Sequence, residues 1–232
     1  MSLTWRALHA SVVQMVEQAR EDGATDALLA DGVLRRQRDE ALPPEAAPFA
    51  RAVRHLGWLL LGRMPTVDPA GSVALKVSLS MTAQGVGPLS EAILLARASE
   101  EADQAQAAAL PAPERATRFY NRAVAFGEQG DALSAIADAT AALAAMPDDT
   151  QALMNRGTWR VQLQDYDGAM ADWLHAVEVD PGYALGWLKI GALKLGFGMP
   201  EGVEDVKRGL ALAPPDWPHR AEAEAWVRRA EG

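Results

Sequence analysis

The side chains that could do chemistry are few and scattered. His9, His55, His175 and His219 are the four histidines, and there is no cysteine. Disulfides and thiolate metal sites are therefore excluded. No two histidines stand at metal-ligand spacing, and no His-Glu-x-x-His pattern occurs. His175, between Leu174 and Ala176, reads as a surface or structural residue and not as a general base. "GVGPLSE" (Gly85 to Glu91) and "GFGMPEG" (Gly196 to Gly202) are glycine-rich. Both lack the lysine and the strand-to-helix context of a phosphate loop. Glycine there supplies permissive backbone at a turn. The carboxylates of Asp138, Asp172 and Asp205 recur at near-constant spacing, and a recurring residue serves a scaffold better than a unique active site. No cofactor and no metal is expected, and the chain reads as no enzyme; catalysis hidden in the region before Pro111 is a third-rank reading.

The elements that position these residues follow from a repeat. With the chain set against itself at an offset of 34 (155 − 121), Asn121 meets Asn155, Arg122 meets Arg156, Asp131 meets Asp165, and Ala135 meets Ala169. Asp138 then meets Asp172, Ala142 meets Ala176, and Pro147 meets Pro181. A third copy keeps that offset at Gly191 and is one place shorter in its second half (205 − 172 = 33). There Asp205, Gly209, Leu210 and Pro214 answer Asp172, Ala176, Val177 and Pro181. Small residues recur as three sets: Ala123, Gly157 and Gly191; Ala135, Ala169 and Gly202; Ala142, Ala176 and Gly209. They let two helix backbones approach closely. Pro147, Pro181 and Pro214 punctuate the units because proline cannot continue a helix.

On these small residues, prolines and period, Glu114 to about Pro215 resembles the tetratricopeptide repeat family. The resemblance implies three units of paired helices, at 116–149, 150–183 and 184–215. The fold it implies is all-α, a right-handed superhelical solenoid of about ten helices. Arg160 and Lys194 depart from the family pattern, which places an aromatic there; Phe126 keeps it. By the same resemblance, the first helices of successive units line a groove. Thr117, Tyr120, Asn121, Val124 and Glu128 would face it from the first unit. The second unit would present Gln151, Met154, Asn155, Thr158 and Gln162, and the third Leu185, Leu188, Lys189, Ala192 and Leu195. Alternatively, Leu188 and Leu195 pack on the next helix. Asn121 and Asn155 could bridge a peptide backbone, since an amide both donates and accepts. Tyr120 and Met154 offer adaptable apolar contact. Some family members hold a chaperone's C-terminal carboxylate in a clamp. Asn155 and Lys189 match two of its places, but Tyr120, Val124 and Leu185 stand where Lys, Asn and Lys are required, so chaperone-tail binding is disfavoured.

The flanks are less regular. Leu3 to Glu21 has helical spacing at Leu8, Val12, Met15 and Val16. Thr25 or Asp26 caps a second helix through about Ala41. Phe49, Val53, Leu56, Leu59 and Leu60 mark a third. Alternation at Val73, Leu75, Val77 and Leu79 suggests a strand, but Ser80, Ala92 and Ser99 repeat the 12-and-7 spacing of Ala123, Ala135 and Ala142. A divergent helical unit at 69–109 is therefore expected, within a divergent helical region of 1–110. Either one continuous solenoid or two halves hinged at Pro111 to Pro113 would fit. Residues 216–232 read as a capping helix started by Asp216 or Pro218, with Ala221, Ala225 and Trp226 on its apolar side.

Composition bounds the partners. With 22 Lys+Arg against 31 Asp+Glu, the net charge is −9, which argues against nucleic acid as the main ligand. The most apolar run, Leu56 to Gly62, is far short of the roughly 20 residues a bilayer needs. Arg6, His9 and Glu17 break any secretory core at the start, so a soluble, cytoplasmic protein is expected. The leading reading is a non-catalytic scaffold or adaptor that binds an extended or helical peptide segment. The competing reading is a regulatory or sensor module whose N-terminal region contacts a second partner. Exposed tryptophans among Trp5, Trp58, Trp217 and Trp226 would mark a further interface, such as that of a homodimer.

Overall fold

The computed structural model describes residues 4–38, 40–62 and 69–231. Among them are twelve α-helices and no strand. In chain order they are α1 (Trp5–Glu21), α2 (Asp26–Gln37), α3 (Ala50–Gly57), α4 (Pro69–Ala83), α5 (Leu89–Ala108) and α6 (Ala112–Glu128). Then follow α7 (Ala132–Ala145), α8 (Thr150–Gln162), α9 (Tyr166–Val179), α10 (Ala184–Gly196), α11 (Gly202–Leu212) and α12 (Arg220–Glu231). Leu3, the expected start of the first helix, lies outside the described residues. A 3-10 stretch, Pro44–Phe49, leads into α3, and α3 runs on into a π-helical turn, Trp58–Gly62.

Capping sets many of the starts. Thr25 Oγ1 accepts from Leu28 N at 3.2 Å. Asp131, Asp149 and Asp165 do the same for α7, α8 and α9, each accepting a backbone N–H three residues on. Such caps satisfy donors that no helix turn can reach. The second helix stops at Gln37, short of Ala41, and is closed by the Arg38 and Glu40 N–H groups, which both donate to Arg35 O. The alternating stretch after Pro69 is helical, with Ser72, Leu75, Leu79 and Thr82 buried at three- and four-residue steps along one face.

Residues 112–212 form three antiparallel hairpins, α6/α7, α8/α9 and α10/α11. All nine recurring small residues are buried. Their role is clearest at Gly191, where an added Cβ would lie 2.6 Å from Gly202 O and 2.8 Å from Val206 N. The α10 and α11 backbones are in contact there. The turns inside the hairpins need left-handed backbone: Gly130 and Gly198 have φ of 77° and 73°, and Gln164 at the matching place in the second unit has φ of 62°.

α4 and α5 make a further hairpin, turned at Gly85 and Gly87, and Ala92 and Ser99 are buried within it. One apolar cluster runs from Trp5, Leu8 and Val12 through Leu29, Leu56, Leu75 and Ala96 to Phe126, Ile136 and Trp159, so residues on both sides of Pro111–Pro113 share it. Each fully buried leucine there contributes roughly 1.5–3 kcal/mol. α12 stacks on the last hairpin through Ala223, Trp226 and Val227, which meet Leu188, Val206 and Leu210. Its apolar side is therefore centred on Ala223; Ala221, expected to be part of it, is exposed. The tryptophans do not form an open aromatic surface: Trp5 is buried, and Trp58, Trp217 and Trp226 are partly buried against core clusters.

Candidate functional site

Each of the three hairpins in 112–212 is locked by an ion pair between its two helices, and these pairs limit which side chains are left for recognition. Asp138 is fully buried and holds Arg122 through both carboxylate oxygens. Asp172 holds Arg156, at 2.9 and 2.5 Å, and Arg160 at 2.8 Å. Asp205 takes Lys194 at 2.7 Å. Arg160 and Lys194, the departures from the family pattern, are thus cations aimed at the recurring aspartate. Burial pushes the Arg160 guanidinium down from its ordinary pKa, and Asp172 opposes that shift. The first unit has Phe126 at that place, and Trp5 supplies the missing donor from α1. Its Nε1 donates to Asp138 Oδ1 at 2.7 Å, and its ring lies 6.0 Å from that of Phe126. Asp103 of α5, also buried, binds Arg118 and Arg122, so one polar cluster ties α1, α5, α6 and α7.

With those groups engaged, the outward face of the first helices α6, α8 and α10 carries several of the expected binding residues. Asn121 and Gln162 are exposed, and neither bonds to another described residue. Asn155 Nδ2 donates to Tyr120 Oη at 2.9 Å, joining adjacent units. The bond leaves the amide oxygen of Asn155 and the phenolic proton of Tyr120 available. Burial pushes the Tyr120 phenol up, and the Asp149 carboxylate adds to this, so the group stays a donor. Thr158 is half-buried, and its hydroxyl donates back to Met154 O at 2.9 Å. Val124 is half-buried and packs on the main core.

Two expected contact residues are not on this surface. Met154 and Leu188 are each 3% exposed. Their position on the helix points at the next first helix in the stack, so Met154 lies beside Gly186 of α10, and Leu188 lies under α12. Leu195 is half-buried against the same C-terminal cluster. Leu188 and Leu195, two of the three leucines expected on the third unit's face, are therefore used largely for packing.

Lys189 remains as a cation on that unit. It is half-buried and forms no hydrogen bond or ion pair with a described residue. Its Nζ stands 5.4 Å from the centroid of the Trp173 ring, and the Trp173 indole is anchored by donation to Met154 O at 3.2 Å. Burial pushes the Lys189 ammonium down, and Glu222 on α12 partly opposes this. Trp173 and Glu222 were not among the expected site residues. The repeat marks Trp173 only as a packing position, and nothing in the sequence places Glu222 opposite Lys189.

The histidines do not converge. His9 Nε2 is 3.3 Å from Ile93 O, His175 meets Asp148 at 2.9 Å on an exposed edge, and His219 packs on Trp217. Among the described residues, no group of three acids and imidazoles could hold a metal, and no helix is long and apolar enough to cross a membrane.

No family model and no curated protein matches the chain. Among solved structures, it is similar to the first TPR of Spaghetti (RPAP3), solved bound to the HSP90 peptide SRMEEVD, at 23% identity and a TM-score of 0.46, over 50% of this chain and 90% of that one. It is also similar to the TPR2AB domain of yeast Sti1, solved in a pHSP90 complex, at 16% identity and a TM-score of 0.49, over 98% of this chain and 86% of that one. Residues 112–212 are a run of helical hairpins similar to tetratricopeptide repeats, a likeness carried by the chain's own repeat of small residues and prolines.

Proposed function

We propose that the chain is a non-catalytic interaction module that binds a peptide segment of a partner protein across the face of α6, α8 and α10. One observation carries this reading. Arg118, Arg122, Arg156, Arg160 and Lys194 are taken by ion pairs, yet this face keeps Asn121 and Gln162 free of bonds to other described residues, the Tyr120–Asn155 pair pre-oriented, and the Lys189 ammonium in no direct ion pair with a described residue, Glu222 acting on it only from a distance. Amides in a row suit the backbone of an extended segment, which needs a donor and an acceptor at each step. A half-buried, unpaired ammonium favours a partner carboxylate, since pairing offsets its desolvation. Holding one in place suits a scaffold or adaptor. The two similar structures were solved with an HSP90 peptide and in a pHSP90 complex; here Tyr120 and Val124 replace charged and amide groups of a carboxylate clamp, which points away from a chaperone tail.

The test uses a displayed-peptide library selected on the full chain, with the best peptides measured by fluorescence anisotropy. Lys189→Ala and Asn155→Ala are each expected to weaken binding by about tenfold, or ~1.4 kcal/mol. Selected peptides that lack an acidic residue, or that bind both variants as tightly as the parent, sink the assignment to this face.

A further inference from the structure

α4 carries little charge and turns an apolar stripe outward. Between Pro69 and Pro88, Lys76 is the only charged residue. Its inner face buries Leu75 and Leu79, while its outer face leaves Val73, Val77 and Met81 at 63%, 53% and 47% exposure, spaced four residues apart. A contiguous apolar stripe left open in this way marks a contact surface. Elsewhere on the molecule, α1, α5 and α7 enclose a groove of about 1350 Å³. Its floor on α7 is Ala137, Thr140, Ala141 and Ala144, side chains small enough to admit a helix backbone. Its walls include Val13, Ile93 and Leu94, the last 63% exposed.

We propose that the chain self-associates by seating the outer face of α4 from one copy in the α1/α5/α7 groove of another. Length agrees: the 15 residues of α4 span about 22 Å, and the lining runs of α1 and α5 span about 24 and 21 Å. Volume agrees too, since the groove exceeds the roughly 300–1,000 Å³ of small-molecule sites. Charge selects the occupant. In the groove, Arg20 is taken by Asp26 at 2.7 Å and Arg97 by Glu101 at 2.9 Å. Glu17 has no ion pair with a described residue, and neither has Lys76. Lys76 of the incoming α4 pairs with Glu17, and Arg6 lies three turns away on α1, about 16 Å. The contact joins two different surfaces, so it closes as a reciprocal pair or continues as a chain. It leaves the peptide face of α6, α8 and α10 free and does not rest on that reading.

Sedimentation velocity and light scattering of the full chain, up to about 100 µM, test the proposal. The parent is expected at a multiple of 24.8 kDa. Val77→Asp and Leu94→Asp are each expected to return it to 24.8 kDa with unchanged helical circular dichroism, because both side chains are already exposed. Lys76→Glu and Glu17→Lys each raise the dissociation constant by about tenfold, and the double variant restores it. A monomeric parent overturns the proposal. So does dissociation by Val77→Asp without dissociation by Leu94→Asp, or a charge-swapped double variant no tighter than the singles.

Discussion

Replacing Gly191 with alanine should destabilise the chain, although alanine is the better helix former. The added Cβ would meet Gly202 O at 2.6 Å, Val206 Cγ2 at 2.6 Å and Val206 N at 2.8 Å. Two of these three atoms are backbone, so no rotamer change relieves them. Restoring an ordinary contact of about 3.4 Å requires the α10 and α11 backbones to separate by roughly 0.6–0.8 Å, and close-packed interiors resist such a shift. Overpacking of this kind costs about 1–3 kcal/mol, occasionally more. The helix gains about 1 kcal/mol from the lost glycine. The net expectation is a loss of up to about 2 kcal/mol. Gly196 is the internal control: it ends the same helix, and its Cβ would meet nothing within 4 Å. Gly196→Ala should leave stability unchanged or raise it by about 0.5 kcal/mol. Urea denaturation followed by circular dichroism reads both midpoints. A Gly191→Ala protein as stable as the Gly196→Ala protein would refute backbone contact between the hairpin's helices.

Three further outcomes follow from single residues. Asp138→Asn leaves Arg122 half-paired in a buried site and should cost about 3–5 kcal/mol, whereas Asp205→Asn, at a more exposed pair, should cost under about 1 kcal/mol by the same denaturation assay. Gln164→Gly should stabilise by about 1 kcal/mol, because Gln164 holds the left-handed turn that Gly130 and Gly198 make in the neighbouring units. His55 buries both ring nitrogens without a partner, and burial pushes its pKa below the ordinary 6.5, with Asp131 opposing and Arg54 and Arg51 reinforcing. The folded state therefore binds fewer protons than the unfolded one. Stability should be full above pH 6.5 and fall as the pH drops through that value, with a slope of at most about 1.4 kcal/mol per unit from this group. His55→Phe should flatten that part of the profile.

The repeat is legible because its determinants are local and written more than once. Ala135 and Ala169 do the same job in successive units, and Pro147 and Pro181 follow the helices that contain them. The helix over Pro69–Ala83 is legible only through its spacing to Ala92 and Ser99, since its own alternation points to a strand. The reach of α1 is not legible. Trp5 finds Asp138 across 133 residues, and that contact occurs once, so no internal copy announces it. The site is legible in part for a related reason. Asn121, Asn155 and Lys189 lie on the expected helices, but whether a neighbouring residue faces outward depends on what stacks beside it. Met154 and Leu188 sit one place before Asn155 and Lys189 and are covered by the next helix of the stack, a relation between units that a pattern within one unit does not encode.

The recurring aspartates also explain how the stack tolerates departures from its pattern. Asp138 and Asp172 are buried and Asp205 is half-buried, so each carboxylate needs cationic or N–H donors. The second unit meets that need with Arg156 and Arg160, and the third with Lys194. The first has Arg122 and an aromatic where the others have a cation, so its aspartate has room for a donor from outside the repeat. α1 supplies it with an indole that also stacks on that aromatic. One difference between units, an aromatic kept at Phe126 where the other two carry a cation, thus accompanies the docking of the N-terminal helix on the repeats. The same docking makes α1 a wall of the α1/α5/α7 groove. A chain with Trp5→Ala should therefore lose stability through an under-satisfied Asp138 and lose self-association through a misplaced groove wall, while peptide binding at Asn155 and Lys189 persists. Loss of all three together would mean that α1 supports the repeat array as a whole and not this junction.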